Sequence, residues 1–321
     1  MLKIALYNPV FDTTEFHEAL REFPDVQFAV AEDLKDIPAA LDGAEILVTG
    51  NRFYTPEPAA LIRAHGNSLR WLAFVTSGVD KAVASGLPKG VIVTNVAGMR
   101  AFAVAEQALA LMLGLVRRIH ASEEARHRRD WARDEISPDI TNLARKHLVI
   151  VGTGAIGQDI ARKAKAFDMR VTGISRRTDP LPHFDELRTR DTLVTTAREA
   201  DILLVAALAG PETDGMISRD VIAALKPTAF VVNIARGSLI DEPALIEALR
   251  ARRIAGAGLD VQAVEPLPQD SPLWNMDNVL LTPHVGGAGD PGTSTHATMF
   301  IENLRLWLAG KRLNKIVIEK T

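Results

Sequence analysis

The sequence predicts an α/β protein made of two doubly wound, parallel-sheet domains. Short apolar runs rich in Val, Ile and Leu recur along the chain, and a segment of helical period follows each of them. This alternation is typical of a parallel sheet covered by helices. The chain has 321 residues, whereas one hydrophobic core seldom grows beyond about 250–300 residues. We therefore expect two domains.

Four apolar runs in the first hundred residues predict the strands of a first domain. The predicted strands are 3–6, 45–48, 72–75 and 91–94, with helices over 14–22 and 58–64. Near the end of the chain, a helical period over 293–308 predicts one more helix, and an apolar run over 313–318 predicts a return strand or a tail. We therefore expect a discontinuous first domain made of residues 1–100 and 290–321.

A second domain is expected over residues 101–289. Its apolar runs predict a six-strand, doubly wound sheet with strands at 147–151, 170–174, 202–206, 230–234, 257–261 and 279–281. Before them, residues 101–119 place apolar side chains all round a helix, and such a helix must be buried. It is expected either in the core between the domains or at a subunit interface, because both positions bury it.

The composition excludes several classes of function. Lys and Arg number 37 against 40 Asp and Glu, and the net charge of -3 gives no positive field for nucleic acid. The chain has no cysteine, which excludes disulfides and thiolate metal sites. No apolar stretch approaches the roughly 18–20 residues of a membrane span. We expect a cytoplasmic protein without a nucleic-acid or membrane partner.

A glycine motif follows the first strand of the second series and opens the next helix. The strand leads into Gly152-Thr-Gly154-Ala155-Ile156-Gly157, and a dinucleotide site requires this strand-turn-helix context. The first glycine of such a motif permits a tight turn, the second lets backbone N–H groups approach a pyrophosphate, and the third permits close packing of helix on strand. We predict that this turn binds a dinucleotide.

The end of the next strand predicts which dinucleotide is bound. A carboxylate is expected there for NAD, because it accepts hydrogen bonds from the ribose 2′-OH. The strand instead ends in Ser175-Arg176-Arg177, a hydroxyl and two guanidinium groups that suit a 2′-phosphate. The sequence thus favours NADPH, with NAD as the alternative, and with two solvated loop arginines as the structural alternative.

Three further polar side chains follow strands of the second series, although the strands do not need them for packing. Arg236 and His284 come at the ends of two strands, and Glu265 comes shortly after a third. Ligands of open α/β sheets bind at the carboxyl ends of the strands. Each residue alone has a structural explanation, such as a surface ion pair, but all three beside a nucleotide site predict a reaction centre.

These motifs together resemble those of a known family. GTGAIGQ, NIARGSLIDEPAL, GLDVQAVEPLP and DSPLWNMDNVLLTPHVGG resemble the successive signatures of the D-isomer-specific 2-hydroxyacid dehydrogenases, with a pattern closest to the glyoxylate/hydroxypyruvate reductases. The resemblance implies two Rossmann/flavodoxin-like domains with the active site in the cleft between them. It also implies NAD(P)H-dependent reduction of a small 2-keto acid, and a homodimer joined through the helix near 101–119.

The resemblance assigns roles to individual residues and implies no metal. His284 would donate a proton, Glu265 would favour the charged imidazolium, and Arg236 would bind the substrate carboxylate. The backbone of Ser77 and Gly78 would be a second anchor for that carboxylate. The implied cofactor contacts outside the glycine motif and the arginine pair are Leu208, Thr213, Ile234, Ala235, Arg236, Asp260, His284 and Gly286, with Asp260 accepting from the nicotinamide carboxamide.

Three positions depart from the family pattern or extend it. Leu208-Ala209-Gly210 stands where many relatives read Pro-Leu-Thr. Arg100 would select a more anionic substrate if it faces the cleft, but a solvated hinge residue is the favoured interpretation. Trp131 matches a tryptophan that reaches the neighbouring subunit's site in glyoxylate reductases, but packing against its own helix is the favoured interpretation.

The substrate and the class of function each keep an alternative. We expect Phe53, Tyr54 and Trp274 to crowd the space beyond C2 of the substrate, which favours glyoxylate or hydroxypyruvate. A phosphoglycerate dehydrogenase is the alternative enzyme, although many of those carry a regulatory C-terminal domain that this sequence does not show. A nucleotide-sensing corepressor is the alternative outside the enzymes, and a turnover assay with NADPH and glyoxylate separates the two classes.

Overall fold

Two mainly parallel sheets organise the fold, and each belongs to a separate unit of the chain. The computed structural model describes residues 1–9, 13–289 and 296–319. The first unit comprises residues 1–99 and 289–321, and the second unit comprises residues 100–288. The α/β class predicted from the alternation of apolar runs and helical segments is confirmed.

Strands and helices alternate along most of the chain. The strands are β1 (Leu2–Tyr7), β2 (Val26–Ala31), β3 (Ile46–Thr49), β4 (Trp71–Phe74), β5 (Ile92–Thr94), β6 (His147–Val151), β7 (Arg170–Ile174), β8 (Glu186–Arg188), β9 (Ile202–Val205), β10 (Phe230–Asn233), β11 (Gly256–Leu259), β12 (Val279–Leu281) and β13 (Ile316–Ile318). The helices are α1 (Thr14–Leu20), α2 (Ile37–Leu41), α3 (Pro56–His65), α4 (Asp80–Ser85), α5 (Ala101–Val116), α6 (Ile119–Arg128), α7 (Arg133–Ile136), α8 (Ala155–Lys165), α9 (Leu193–Ala197), α10 (Arg219–Ala224), α11 (Glu242–Arg250) and α12 (His296–Leu308). Over the described ranges, no helix has both the length and the apolar character needed to cross a bilayer.

The sheet of the first unit has the strand order β2-β1-β3-β4-β5-β13. Its strands are parallel except β13, which pairs antiparallel with β5 and confirms the predicted return strand. Strands β3 and β4 are buried at every residue, as central strands are when helices cover both faces of a sheet. Tyr54 packs in this core, fully buried against Phe74, so the expectation that it crowds a substrate pocket is wrong.

The sheet of the second unit has seven parallel strands in the order β8-β7-β6-β9-β10-β11-β12. The chain first builds outward from β6 to β8 and then returns to place β9 on the other side of β6. The strand order therefore reverses between β6 and β9. In open α/β sheets this reversal opens a crevice outside the carboxyl ends of the strands, where ligands bind.

Helix α5 packs closely on β11 and β12 within the second unit. A Cβ added to Gly258 of β11 would lie 3.0 Å from the Cβ of Leu111, and one added to Gly114 would lie 2.7 Å from Leu280 of β12. The helix buries most of its small and aliphatic residues, as its apolar faces predict. It ends at Val116 rather than at 119, because Arg118 takes a left-handed φ of 54°.

Two edge strands were not predicted from the sequence. Strand β2 adds a strand to the first sheet, and β8 makes the second sheet seven-stranded rather than six-stranded. The charged residues of β8 explain the omission, because Glu186 and Arg188 form an ion pair with each other and Glu199 binds the same guanidinium group. The predicted last helix begins at His296, and its predicted first turn, 293–295, lies outside the described residues.

Candidate active site

The carboxyl ends of the strands in the second unit carry the glycine and polar residues singled out in the sequence. Gly152 follows β6, Ser175 follows β7, Arg236 follows β10, Glu265 follows β11 and His284 follows β12. Because all these strands run parallel, their ends lie along one edge of the sheet. The structure thus brings the predicted residues to the edge where ligands bind.

The glycine loop, residues 152–157, depends on missing side chains. Gly152 has a φ of +105°, and a Cβ there would lie 2.6–2.7 Å from backbone atoms of Ala206 and Ala207 after β9. A Cβ on Gly157 would lie 2.1 Å from the carbonyl oxygen of Gly152. The residues that follow β6 are therefore in backbone contact with those that follow β9 and with the first turn of α8. These contacts lie at the point where the strand order reverses.

The N-terminus of α8 has the properties of an anion site. Among the described residues, no side chain caps this helix, and a Cβ added to Gly154 would meet none of their atoms within 4 Å. Ala155 and Ile156 form the first turn, whose N–H groups have no partner within the helix. The open backbone and the positive end of the helix dipole fit the pyrophosphate of a dinucleotide.

The segment after β7 is ordered by the Ser175 hydroxyl. Ser175 Oγ accepts hydrogen bonds from Thr153 Oγ1 at 3.0 Å and from the backbone N–H of Arg177 at 3.1 Å. Arg176 and Arg177 are exposed next to it.

Five of the remaining predicted cofactor contacts lie on two short segments, residues 208–213 and 234–236. The Thr213 hydroxyl donates to the carbonyls of Leu208 and Gly210 at 2.8 and 3.0 Å and closes that loop on itself. Leu208 is 77% exposed and presents an apolar surface there. Ala235 N–H donates to the Asn233 side chain, directly before Arg236.

His284 and Glu265 form the closest pair of ionisable groups among the predicted site residues. His284 Nδ1 lies 2.8 Å from Glu265 Oε2. Burial raises the pKa of the Glu265 carboxyl, but its hydrogen bond to His284, the charges of His284 and Arg236, and the Gln262 N–H outweigh burial and lower that pKa. An ionised carboxylate only accepts hydrogen bonds, so Nδ1 carries a proton. Nδ1 therefore donates to the carboxylate, and Nε2 is the second nitrogen of the ring.

The backbone between Arg236 and Glu265 is tightly packed. A Cβ on Gly237 would lie 2.0–2.3 Å from backbone atoms of Gln262 and Ala263. Gln262 N–H donates to Glu265 Oε1 at 3.2 Å. The Arg236 guanidinium donates to the Ala235 carbonyl at 2.7 Å, and its positive charge contributes to the lowered pKa of Glu265. The three predicted reacting residues thus act on one another electrostatically.

Asp260 holds the histidine loop, which we define as residues 282–287. Its carboxylate is 1% exposed and accepts from Thr282 Oγ1 at 2.6 Å, Val285 N–H at 3.1 Å and Gly286 N–H at 2.9 Å. A carboxylate has about four acceptor positions, and the loop uses three of them. Within this loop His284 has a φ of 53°, a left-handed conformation that non-glycine residues adopt only when their surroundings impose it.

The two substrate anchors predicted in the first unit lie in the loop after β4. The Ser77 carbonyl accepts from Asn95 Nδ2 at 2.6 Å, and the Gly78 carbonyl accepts from Thr76 Oγ1 at 3.0 Å. These contacts use the carbonyl oxygens. Their role as N–H donors to a substrate stays a prediction.

Two of the positions outside the family pattern have clear environments. Trp131 is 92% exposed, so the favoured expectation that it packs against its own helix is wrong. Arg100 is neither a solvated hinge residue nor fully exposed, because its guanidinium donates to the Gly287 carbonyl at 2.8 Å. In the described part of the chain, no group of three or more His, Asp and Glu side chains could hold a metal ion.

The sequence reasoning missed the residues that support the site. Gln262 and Thr282 donate to the site residues Glu265 and Asp260, Gln107 donates to Thr282, and Gly237 permits the backbone contact beside Arg236. Only Gly237 carries a local signal, since it directly follows a functional residue at a turn. The other contacts depend on which distant segments meet across the sheet edge.

Comparisons with known proteins agree with this geometry. Residues 81–286 match the family model described as D-isomer specific 2-hydroxyacid dehydrogenase, NAD binding domain. The chain is 35% identical over 261 residues to a glyoxylate reductase of Pyrococcus furiosus, covering 78% of this chain and 77% of that protein. A solved D-isomer-specific 2-hydroxyacid dehydrogenase of Xanthobacter autotrophicus Py2, in complex with NADPH and MES, has a TM-score of 0.82 and 28% identity, with 99% of this chain and 98% of that chain covered.

A longer relative matches almost all of this chain. The D-3-phosphoglycerate dehydrogenase of Methanocaldococcus jannaschii is 31% identical over 323 residues, which cover 99% of this chain. The chain spans only 59% of the length of that protein, and 54% of a Mycobacterium tuberculosis protein with the same name. Reductases and phosphoglycerate dehydrogenases thus occur at similar identity.

Proposed function

The chain belongs to the D-isomer-specific 2-hydroxyacid dehydrogenase family, and on that premise we propose that it reduces a small 2-keto acid to the D-2-hydroxy acid. The observation that carries the proposal is the contact of 2.8 Å between His284 Nδ1 and Glu265 Oε2 at the sheet edge that holds the glycine loop. A bound nicotinamide dinucleotide supplies the hydride in this chemistry. The residues of the chain must bind the substrate, orient it and deliver a proton.

His284 is the proposed proton donor. Reduction of a carbonyl leaves negative charge on its oxygen, which requires a proton from a group that can carry one near neutral pH. Glu265 accepts from Nδ1, so it fixes the orientation of the ring and directs Nε2 to the substrate oxygen. Its negative charge stabilises the imidazolium until the proton leaves.

Arg236 is the proposed partner of the substrate carboxylate. A guanidinium group binds a carboxylate through two parallel hydrogen bonds, which fixes the direction of the neighbouring carbonyl. The backbone contact of Gly237 with Gln262 and Ala263 holds this arginine at a constant place relative to Glu265. Ser77 and Gly78 complete the proposed substrate-binding set.

The proposed cofactor is NADPH. Support comes from the segment after β7, where the Ser175 hydroxyl is hydrogen-bonded to Thr153 and to the Arg177 N–H and is followed by two exposed guanidinium groups. No carboxylate directly follows β7 to accept from a ribose 2′-OH, since residues 175–177 are Ser-Arg-Arg. The glycine loop and α8 hold the pyrophosphate in this proposal.

The proposed substrates are glyoxylate and hydroxypyruvate. Arg236 and His284 recognise only a carbonyl beside a carboxylate, so selection beyond C2 depends on other side chains. Trp274 is 54% exposed after β11 and donates from Nε1 to the Pro268 carbonyl, which fixes its ring in one orientation. The match to phosphoglycerate dehydrogenases over 99% of this chain makes 3-phosphohydroxypyruvate the alternative substrate.

A panel of five keto acids tests the substrate proposal. We expect the kcat/KM with NADPH to be highest for glyoxylate or hydroxypyruvate, compared with pyruvate, phenylpyruvate and 3-phosphohydroxypyruvate. A lead of more than about tenfold for phenylpyruvate or the phosphorylated acid, which is about 1.4 kcal/mol of transition-state binding, would overturn it.

A second copy of the chain is the proposed partner. Ile119 of α6 and Trp131 before α7 are 58% and 92% exposed, and large apolar groups left in water favour association. Light scattering after gel filtration should give the mass of a dimer, and Trp131→Ser should weaken the dimer. A monomer at micromolar concentration would contradict this proposal.

A further inference from the structure

We propose that Arg100 and Gln107 are positioning residues for His284, because they attach helix α5 to both ends of the histidine loop. The two residues lie outside the set that the sequence motifs assign to the site. The catalytic meaning of this inference rests on the proposed function, whereas its geometry rests only on contacts within the second unit.

Gln107 holds the first end of the loop. Its Nε2 donates to Thr282 Oγ1 at 2.9 Å, and Thr282 Oγ1 lies 2.6 Å from Asp260 Oδ1. Thr282 has one hydroxyl proton, which it donates to the carboxylate of Asp260, so it needs a donor for its own oxygen. The amide of Gln107 is that donor. In this series of hydrogen bonds, Gln107 donates to Thr282 and Thr282 donates to Asp260.

Arg100 holds the last end of the loop. Its Nη1 donates to the Gly287 carbonyl at 2.8 Å, a hydrogen bond strengthened by the charge of the guanidinium. The middle of the loop also contacts α5. A Cβ on Gly286 would lie 2.7 Å from Asp260 Oδ2 and 3.3 Å from Gln107 Cγ, so Gly286 packs between Asp260 and the helix.

Both residues belong to the start of α5. Arg100 directly precedes Ala101, the first residue of the helix, and Gln107 lies in the second turn, seven positions after Arg100. The helix between them is fixed to the sheet through the close contacts of Gly258 and Gly114. Helix α5 is therefore a rigid support with a donor at each end of the loop.

The support is needed because His284 lies in a strained backbone conformation. Its φ of 53° persists only while the surrounding contacts impose it. A displacement of about 1 Å in such a loop is enough to lower a catalytic rate by about a hundredfold. Removing one donor should therefore misplace the imidazole relative to Glu265 and the substrate, while the glycine loop and cofactor binding stay intact.

Hydrogen exchange tests the geometry without any turnover. The variants Gln107→Met and Arg100→Met remove the donors and keep most of the side-chain volume. Mass spectrometry of the peptide covering 282–289 should show exchange at least tenfold faster than in the wild type. Glu106→Met, on the exposed face of α5, and Arg117→Met, directly after its end, are the matched controls. Unchanged exchange in both test variants, or equally fast exchange in the controls, overturns the proposal.

Kinetics test the positioning role. With NADPH and glyoxylate, both test variants should have a kcat at least about tenfold lower, and a KM for NADPH within about twofold of the wild type. Arg100→Lys keeps a donor and should therefore recover most of the lost kcat. Faster exchange with unchanged kcat overturns the positioning role. A wild type that reduces none of the five keto acids refutes the proposed function instead, and the exchange experiment still decides whether α5 holds the loop.

Discussion

The glycine loop and the histidine loop lie at the same edge of one sheet but are stabilised in opposite ways. The glycine loop needs side chains to be absent, since a Cβ on Gly157 would lie 2.1 Å from the Gly152 carbonyl oxygen. The histidine loop needs side chains to be present, because Asp260 binds it from the end of β11, and Arg100 and Gln107 bind it from the start of α5. A loop of the first kind can be recognised from its own residues, whereas one of the second kind cannot.

The largest effect should follow the removal of the reacting group from the histidine loop. We expect His284→Ala to lower kcat by about 10²–10⁴, the usual range for a positioned general acid, because no other group would protonate the developing alkoxide. The Kd for NADPH should change little, since the glycine loop is untouched. Steady-state kinetics and fluorescence titration measure both quantities, with His127→Ala in α6 as the control. A loss in NADPH binding as large as the loss in kcat would contradict the division of roles, in which the glycine loop binds the cofactor and the histidine loop supplies the proton.

The arginine pair beside the glycine loop should give the next largest effect. The double variant Arg176→Ala/Arg177→Ala removes charge-assisted hydrogen bonds worth about 1.5–3 kcal/mol each when fully formed. Because both arginines are exposed, solvent screening reduces these contributions, and we expect kcat/KM for NADPH to fall by about 10–100-fold and that for NADH to stay within about twofold. A wild-type preference for NADH would refute the proposed role of this pair.

Two alanine substitutions separate packing from ligand binding in the glycine loop. Gly157→Ala should lower the free energy of unfolding by about 1–3 kcal/mol, because the new methyl group overlaps the Gly152 carbonyl. Gly154→Ala, which meets no described atom within 4 Å, should leave stability nearly unchanged and weaken NADPH binding instead. Urea unfolding and fluorescence titration test the pair. An equal loss in the free energy of unfolding for both variants would contradict the open space beside Gly154.

The smallest expected effect is a change in pH dependence when the histidine loop loses its charged partner. The pKa of Glu265 is lowered, since its contacts with His284, Gln262 and Arg236 outweigh burial. The carboxylate is therefore ionised throughout the neutral range and favours the imidazolium. Glu265→Gln removes the negative charge beside the proposed proton donor, so the alkaline limb of the kcat/KM profile should move to lower pH and activity above about pH 7 should fall about tenfold. An alkaline limb at its wild-type position would assign that titration to another group.

The same contrast explains what could be predicted from the sequence. The central strands of both sheets were found because each is a continuous buried apolar run, as in β6 and β9. Strand β8 was missed because two of its residues are charged, and their ion pairs become visible only when Glu199 is brought beside them. Edge strands need fewer apolar residues, so their sequences carry a weaker signal.

Some residues of the candidate site could be found from the local sequence, and others could not. His284, Glu265 and Arg236 could be singled out because each follows a strand of the second unit. Thr282 and Gln107 lie 175 positions apart, and nothing in either local sequence shows that they meet. Tyr54 and Trp131 were misjudged for a related reason, since the burial of an aromatic residue depends on neighbours that are distant in sequence.

Analysis of the product formed from hydroxypyruvate tests the central claim most directly. The wild type, incubated with hydroxypyruvate and NADPH, should form D-glycerate in an amount equal to the NADPH oxidised, and His284→Ala should form almost none in the same time. Chiral chromatography measures the D-glycerate formed, and the absorbance of NADPH measures the amount of cofactor oxidised. Oxidation of NADPH without D-glycerate, formation of the L-isomer, or full activity in His284→Ala would contradict the account.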